Sequence, residues 1–171
     1  MPRNLQRREP VAHRMMIPTS TNKWKPAMPD PSLSLPDDWK QLVLAARQAR
    51  QAAYAPYSQY HVGAAVKTSG GDVFVGCNVE NASYGLTICA ERTAVCSAVA
   101  AGHRDIDVCC ISLTGQPVPC GTCRQFLYEF NPDMIVLLDN LDLPEQTDSG
   151  TPQLPEVVRL RDLLPRAFHL E

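Results

Sequence analysis

The sequence has little excess charge and no long apolar run, and each absence excludes a class of protein. Sixteen basic and eighteen acidic side chains leave a formal net charge of −2 over 171 residues. Proteins that bind nucleic acid or membrane surfaces through charge carry a marked basic excess. The longest apolar stretches, such as residues 134–138, fall far short of the ~20 residues that cross a bilayer. We therefore expect neither a nucleic-acid nor a membrane partner.

The amino terminus also lacks the continuous apolar core of a secretory signal, because His13, Arg14 and Pro18 interrupt it. Without secretion, the seven cysteines are not expected to form a disulfide framework. A reducing compartment and metal ligation explain them better. We expect a cytoplasmic protein.

Residues 1–36 are predicted to be a disordered N-terminal extension. They hold seven of the fifteen prolines and show no sustained apolar periodicity. A targeting peptide is the alternative, but the arginines do not lie on a clear amphipathic face. Residues 37–171 are predicted to form one folded domain.

Within that domain, apolar spacing predicts an alternation of helices and strands. Helices are predicted at about 37–55, 87–101 and 121–130, and strands at 58–67, 73–80, 106–113 and 134–138, with a last strand or helical turn at 157–164. Residues 69–72 read as a hairpin turn, and 140–156 as an irregular loop. This order predicts an α/β fold in which helices cover the faces of one mixed sheet.

Two short stretches carry the chemistry. Cys89-Ala90-Glu91 is followed, 31 residues after its cysteine, by Pro119-Cys120-Gly121-Thr122-Cys123. Three thiolates leave one position of a tetrahedral zinc ion open, and an open position distinguishes catalytic from structural zinc. The carboxylate of Glu91 stands beside that position.

All three cysteines lie where helices are predicted to begin. A helix N-terminus carries partial positive charge and free N–H groups, which stabilise a thiolate. Three thiolates still overcompensate a divalent ion, and Arg92 is placed to donate hydrogen bonds to the sulfurs and offset the surplus charge.

A closed structural zinc is the main competitor to this interpretation. It requires a fourth protein ligand, for which Cys77, Cys96 or Cys110 are available. It also predicts that Glu91 does nothing, since an acidic residue in a first helical turn stabilises the helix by itself.

Several longer motifs resemble a known family. They are A-P-Y-S at 55–58, V-G-A-A at 62–65, G-C-N-V-E-N-A-S-Y-G at 76–85, T-I-C-A-E-R-T-A at 87–94, P-C-G-T-C-R-Q at 119–125, and L-L-P with A-F at 163–168. Across about residues 37–168 the sequence resembles the cytidine deaminases of the small, three-cysteine, homotetrameric type. The resemblance implies a three-layer sandwich with a mixed five-stranded sheet, one zinc ion per subunit, and active sites shared between subunits.

The resemblance also implies a reaction, the hydrolytic deamination of cytidine and deoxycytidine to uridine and deoxyuridine in pyrimidine salvage. It assigns the site residues as follows: zinc ligands Cys89, Cys120 and Cys123; proton shuttle Glu91; ribose-binding Asn78 and Glu80; base-binding Ala90 and Tyr60; and Ala82, Tyr84 and Phe168 for a neighbouring subunit's site. The spacing of Asn78 and Glu80 independently puts both side chains on one face of a strand end.

Some positions depart from the family pattern. Tyr60 stands where a phenylalanine is usual, and its hydroxyl needs a partner if it is buried. His61 replaces a proline, Val118 a serine, and Arg166 a glycine or serine. These departures bear on substrate preference and leave the predicted chemistry intact.

Two other classes of deaminase substrate are alternatives. Polynucleotide deaminases usually carry histidine at the position of Cys89, together with a basic groove, and this chain has neither. Blasticidin-type deaminases share the two cysteine motifs, but the run from Asn78 to Asn81 favours a ribose or deoxyribose.

Overall fold

The computed structural model describes residues 34–144 and 153–170. Its helices are α1 (Asp37–Arg50), α2 (Ala90–Ala100), α3 (Gly121–Phe130) and α4 (Leu160–Leu163), and its strands are β1 (Gly63–Thr68), β2 (Val73–Cys77), β3 (Ile106–Leu113), β4 (Ile135–Asn140) and β5 (Glu156–Arg159). No helix in the described ranges is long and apolar enough to span a membrane. Most of the predicted N-terminal extension, and residues 145–152 of the predicted loop, lie outside the described residues.

The five strands form one sheet in the order β2-β1-β3-β4-β5. Strands β3 and β4 are parallel, with Cys110 opposite Leu137, and every other neighbouring pair is antiparallel. The central strand β3 is buried on both faces, as its nearly continuous apolar sequence predicts. The predicted mixed five-stranded sheet is confirmed.

Helices cover both faces of this sheet, which confirms the three-layer sandwich. On one face, Trp39, Leu42 and Ala46 of α1 pack on alternate residues of β1, β3 and β4. On the other face, α2 and α3 bury Ala94, Val95, Ala98 and Leu127 against the intervening residues of the same strands. Leu35, placed in the extension by the sequence analysis, is buried in the core beneath α1.

The strand predicted at 58–67 is wrong in its first half, because β1 begins only at Gly63. Gln59 has a positive φ of 59°, which turns the chain out of extended geometry. The Val62 N–H then donates to the Asn78 side chain instead of to a strand. The return strand also ends early, at Cys77, and Val79 makes only isolated bridges to Tyr54 and Ile88.

Helix α2 begins at Ala90, three residues later than predicted. Thr87 has an extended conformation and its hydroxyl accepts a hydrogen bond from the Asn81 N–H. The later start puts Cys89 at the N-cap, next to the first free N–H groups of the helix.

Candidate active site

Two helices have a cysteine as their N-cap, and their N-termini point at the same place. Cys89 is the N-cap of α2 and Cys120 the N-cap of α3, both in extended conformation, while Cys123 lies in the first turn of α3. The three sulfurs all lie within 4.8 Å of one another, and Cys89 Sγ is 3.9 Å from Cys120 Sγ. The fold therefore brings together cysteines that are 31 residues apart in sequence.

The donor set fits zinc. Zinc–sulfur bonds of about 2.3 Å in a tetrahedron separate the sulfurs by roughly 3.8 Å, close to the Cys89–Cys120 distance. Hydrogen bonding from Cys123, then from Arg92, lowers the pKa of Cys89 to about 5. The same contact with Cys89, together with burial, raises the pKa of Cys123. One thiolate forms readily, and a bound cation favours ionisation of the remaining thiols.

No fourth protein ligand joins this group within residues 34–144 and 153–170. The three alternative cysteines lie elsewhere. The Cys77 thiol donates to the Ala52 carbonyl, Cys96 is exposed on α2, and Cys110 is buried in the core beneath α1. A closed four-cysteine site is therefore not formed, and Cys89 and Cys120 line a cleft.

Arg92 lies behind the first sulfur. One terminal nitrogen, Nη2, donates to the Thr87 carbonyl at 2.9 Å and lies 3.9 Å from Cys89 Sγ. Its Nε is buried and has no hydrogen-bond partner among the described residues. The guanidinium therefore places a positive charge beside the sulfur of Cys89, the position that the sequence predicts for it.

Glu91 is 4% exposed, which is unusual for a carboxylic acid. Burial raises the pKa of its carboxyl, and the negative charge of Cys89 raises it further. A raised pKa brings a carboxyl closer to the range in which it can both accept and release a proton, which suits general acid–base catalysis.

The cleft in front of the cysteines has a volume of about 240 Å³, slightly below the range of roughly 300–1,000 Å³ that is typical of small-molecule pockets. Residues from five parts of the chain line it: Tyr60, Val62, Asn78, Glu80, Thr87, Cys89, Ala90, Glu91, Ile111, Leu113, Val118 and Cys120. The predicted catalytic, ribose-binding and base-binding residues therefore share one cavity with two of the three cysteines.

Asn78 is 7% exposed, and two of its hydrogen-bonding groups are already engaged. Its Oδ1 accepts from the Val62 N–H at 2.9 Å, and its Nδ2 donates to the Tyr60 carbonyl at 2.8 Å. An amide has two donor hydrogens, so one N–H of Asn78 stays available to a ligand.

The carboxylate of Glu80 binds the loop at residues 57–62, which also contains Tyr60 and Val62. Its Oε2 accepts from the backbone N–H groups of Tyr57, at 2.9 Å, and of Ser58, at 3.2 Å. Its Oε1 accepts from the Ser58 hydroxyl. Sequence reasoning missed this second role, for which the A-P-Y-S motif beside the predicted strand was the only available signal.

The hydroxyl of Tyr60 does not need a buried partner, because the side chain is 45% exposed. Partial burial raises the pKa of the phenol, and the negative charges of Asp142 and Glu91 raise it further. Tyr60 therefore presents a protonated hydroxyl together with an aromatic ring at the side of the cleft.

Three predicted residues do not line the cleft of their own chain. Ala82 is exposed, Tyr84 is 84% exposed and Phe168 is 68% exposed. The Phe168 carbonyl accepts from Gln125 Nε2 at 2.8 Å, so this hydrogen bond connects the C-terminal segment to α3. Sequence reasoning did not identify Gln125 as this anchor.

Metal removal should destabilise the fold, because one ion would hold the first turns of α2 and α3 together. We expect about one zinc ion per chain by elemental analysis, and a fall in melting temperature of about 5–10 °C on chelation. Cys96→Ala should behave like the wild type. Cys120→Ala should contain little zinc and show no chelator-dependent shift; a wild-type-like shift in this variant would contradict the three-cysteine site.

Comparisons with known proteins agree with this geometry. The sequence model described as "Cytidine and deoxycytidylate deaminase zinc-binding region" matches residues 37–139. A cytidine deaminase of Halalkalibacterium halodurans is 45% identical over 139 residues, covering 78% of this chain and 96% of that protein. One from Mycobacterium tuberculosis is 43% identical over 140 residues, covering 80% and 95%. The crystal structure of cytidine deaminase from Burkholderia pseudomallei superposes with a TM-score of 0.66 at 46% identity, covering 75% of this chain and 98% of that one.

Proposed function

The chain belongs to the cytidine and deoxycytidylate deaminase family, and we propose that it hydrolyses cytidine and deoxycytidine to uridine and deoxyuridine with release of ammonia. The observation that carries the proposal is the single cleft that joins a three-cysteine metal site to a buried carboxyl, that of Glu91. Water displaces the amino group at C4 of the pyrimidine, so the atoms balance without any redox partner.

Each group at the base end of the cleft has a distinct task. Cys89, Cys120 and Cys123 would hold zinc, which when bound supplies the Lewis acidity that makes water nucleophilic at neutral pH. Glu91 accepts a proton, delivers it to N3 of the ring and later carries a proton to the leaving amino group. One carboxyl can make every transfer because Glu91 lines the cleft beside Cys89 and Cys120, where the pyrimidine would bind.

Asn78 and Glu80 would bind the sugar of the nucleoside, and the part of the cleft that they line is its sugar end. The free N–H of Asn78 is a donor, and the unused capacity of the Glu80 carboxylate is an acceptor. A sugar hydroxyl is both donor and acceptor, so it matches this pair. Cytidine and deoxycytidine both carry the 3′-hydroxyl, and both are expected to be substrates. Ala90 and Tyr60 would contact the base.

We also propose a cytoplasmic homotetramer with shared active sites. Several large side chains are exposed in the single chain, among them Tyr84, Leu86 and Phe168. Association would cover them and bring Ala82, Tyr84 and Phe168 to the cleft of another subunit. A reducing cytoplasm would keep the three cysteines available to the metal. Light scattering is expected to give four chains per particle.

Substrate assays test the proposed function directly. Purified zinc-loaded protein should release ammonia from cytidine and deoxycytidine, and much less from free cytosine, which lacks the sugar, or from blasticidin S. Preference for blasticidin S would reassign the substrate. No release from any of the four compounds by zinc-loaded protein would favour a non-catalytic zinc module.

A further inference from the structure

The Ser58 hydroxyl connects the sugar end of the cleft to its aromatic side. It donates to Glu80 Oε1 and accepts from the Tyr60 N–H at 3.0 Å. The Ser58 N–H also donates to the other oxygen of Glu80. One serine therefore contacts both oxygens of the carboxylate and the backbone of the residue whose ring lines the cleft.

The hydrogen bonds that Glu80 already accepts show which acceptor position of its carboxylate remains for a ligand. A carboxylate has about four acceptor positions. Two backbone N–H groups occupy Oε2 and the Ser58 hydroxyl occupies one position on Oε1. The vacant position lies on Oε1, the oxygen whose orientation the hydroxyl controls. The same bond is the main cause that lowers the pKa of Glu80, because it stabilises the ionised, acceptor form of the carboxyl.

The backbone of this loop gives Ser58 little freedom. The next residue, Gln59, has a positive φ of 59° and its N–H donates to the Ala55 carbonyl at 3.0 Å. On the far side, Asn78 holds the Tyr60 carbonyl. The loop is thus fixed at both of its ends, and the Ser58 side chain is held between Glu80 and Tyr60.

We infer that Ser58 is a positioning residue for nucleoside binding, which orients Glu80 Oε1 toward the sugar hydroxyl and couples that oxygen to the position of Tyr60. The inference rests on the proposed function and deepens it. Ser58 itself touches no reacting atom, so its effect should fall on substrate binding and depend on the sugar hydroxyl.

Kinetics with two matched substrates test this inference. Cytidine carries the 3′-hydroxyl and 3′-deoxycytidine lacks it. For Ser58→Ala we expect KM for cytidine to rise about tenfold, the loss of one hydrogen bond to a charged group, with kcat within about threefold of wild type. KM for 3′-deoxycytidine should change by less than about twofold. Ser58→Thr, which keeps the hydroxyl, should restore the cytidine KM.

Gln59→Ala is the matched control. It removes a hydrogen bond within the same loop, from Gln59 Nε2 to the Pro56 carbonyl, without touching Glu80. Both substrates should keep wild-type KM values in this variant. Zinc content and melting temperature establish that each variant is folded, and Ser58→Cys, whose thiol is a weak donor, gives the same test if Ser58→Ala does not fold.

Equal KM increases for cytidine and 3′-deoxycytidine would overturn the inference, because Ser58 would then act only on the loop. An unchanged KM for cytidine would overturn it too. Failure of the wild-type enzyme to deaminate cytidine is a different result, and would remove the proposed function itself.

Discussion

Glu91→Gln is expected to keep zinc bound while turnover of cytidine falls by about a thousandfold or more. The amide preserves the shape of the buried side chain but can neither accept nor release the transferred proton. A positioned acid–base group contributes roughly a hundred- to ten-thousandfold for each assisted transfer, and Glu91 is proposed to serve more than one. Single-turnover rates and zinc content, measured on the same preparation, check the prediction.

A matched control lies on α3. Glu129 is an exposed carboxylate near the end of that helix, and Glu129→Gln should leave both zinc and turnover unchanged. Retention of a tenth or more of the activity in Glu91→Gln would exclude Glu91 as the proton shuttle. Parallel loss of zinc and activity would instead indicate that the carboxyl supports the metal site.

Gly76→Ala is expected to lower the melting temperature by roughly 10 °C, equivalent to about 3 kcal/mol of overpacking. A methyl group on Gly76 would lie 2.3 Å from the Ala94 N and 2.6 Å from the Ala90 carbonyl oxygen. Both are backbone atoms of α2, so no side-chain rotation relieves the clash and the helix must move. Because Cys89 is the N-cap of α2 and Glu91 lies in its first turn, a displacement of about 1 Å is also expected to cost about a hundredfold in turnover.

Gly70→Ala is the corresponding control on the same β-hairpin. Its methyl group would meet nothing closer than 3.6 Å, from side-chain oxygens of Asp72 and Thr68. We expect a melting temperature within about 2 °C of wild type, as for most surface changes. A wild-type melting curve for Gly76→Ala would show that α2 does not pack on β2 as closely as described.

Regular elements with strong apolar periodicity were predictable from the sequence. Helix α3 was expected at about 121–130 and occupies those residues, and strand β3 was expected and found at 106–113. Each has an unbroken local pattern and a clear breaker at its ends, so local preference and tertiary packing agree.

The loop at residues 57–62 could not be predicted in the same way. Polar and apolar residues alternate over 59–62 as in a strand, yet backbone N–H groups of the loop donate to the side chains of Asn78 and Glu80. Side chains from a distant segment compete with strand pairing here, and that competition depends on the three-dimensional arrangement. The same feature gave Ser58 a role that its place in a motif did not suggest.

The sequence by itself determined the chemistry of this protein. Residue type and short spacing decide which side chains can be ligands: Cys120 and Cys123 lie within one helical turn of each other, and Cys89 precedes Glu91 by two residues. Only the tertiary structure decided that these two stretches meet, because α2 and α3 pack on the same face of one sheet and thereby bring the three cysteines together. The tertiary structure also decided how Asn78 and Glu80 use their hydrogen-bonding groups. Each binds the loop at residues 57–62, and each keeps one donor or acceptor position for a ligand. The sequence could not show this, because the loop and these two residues are distant in sequence.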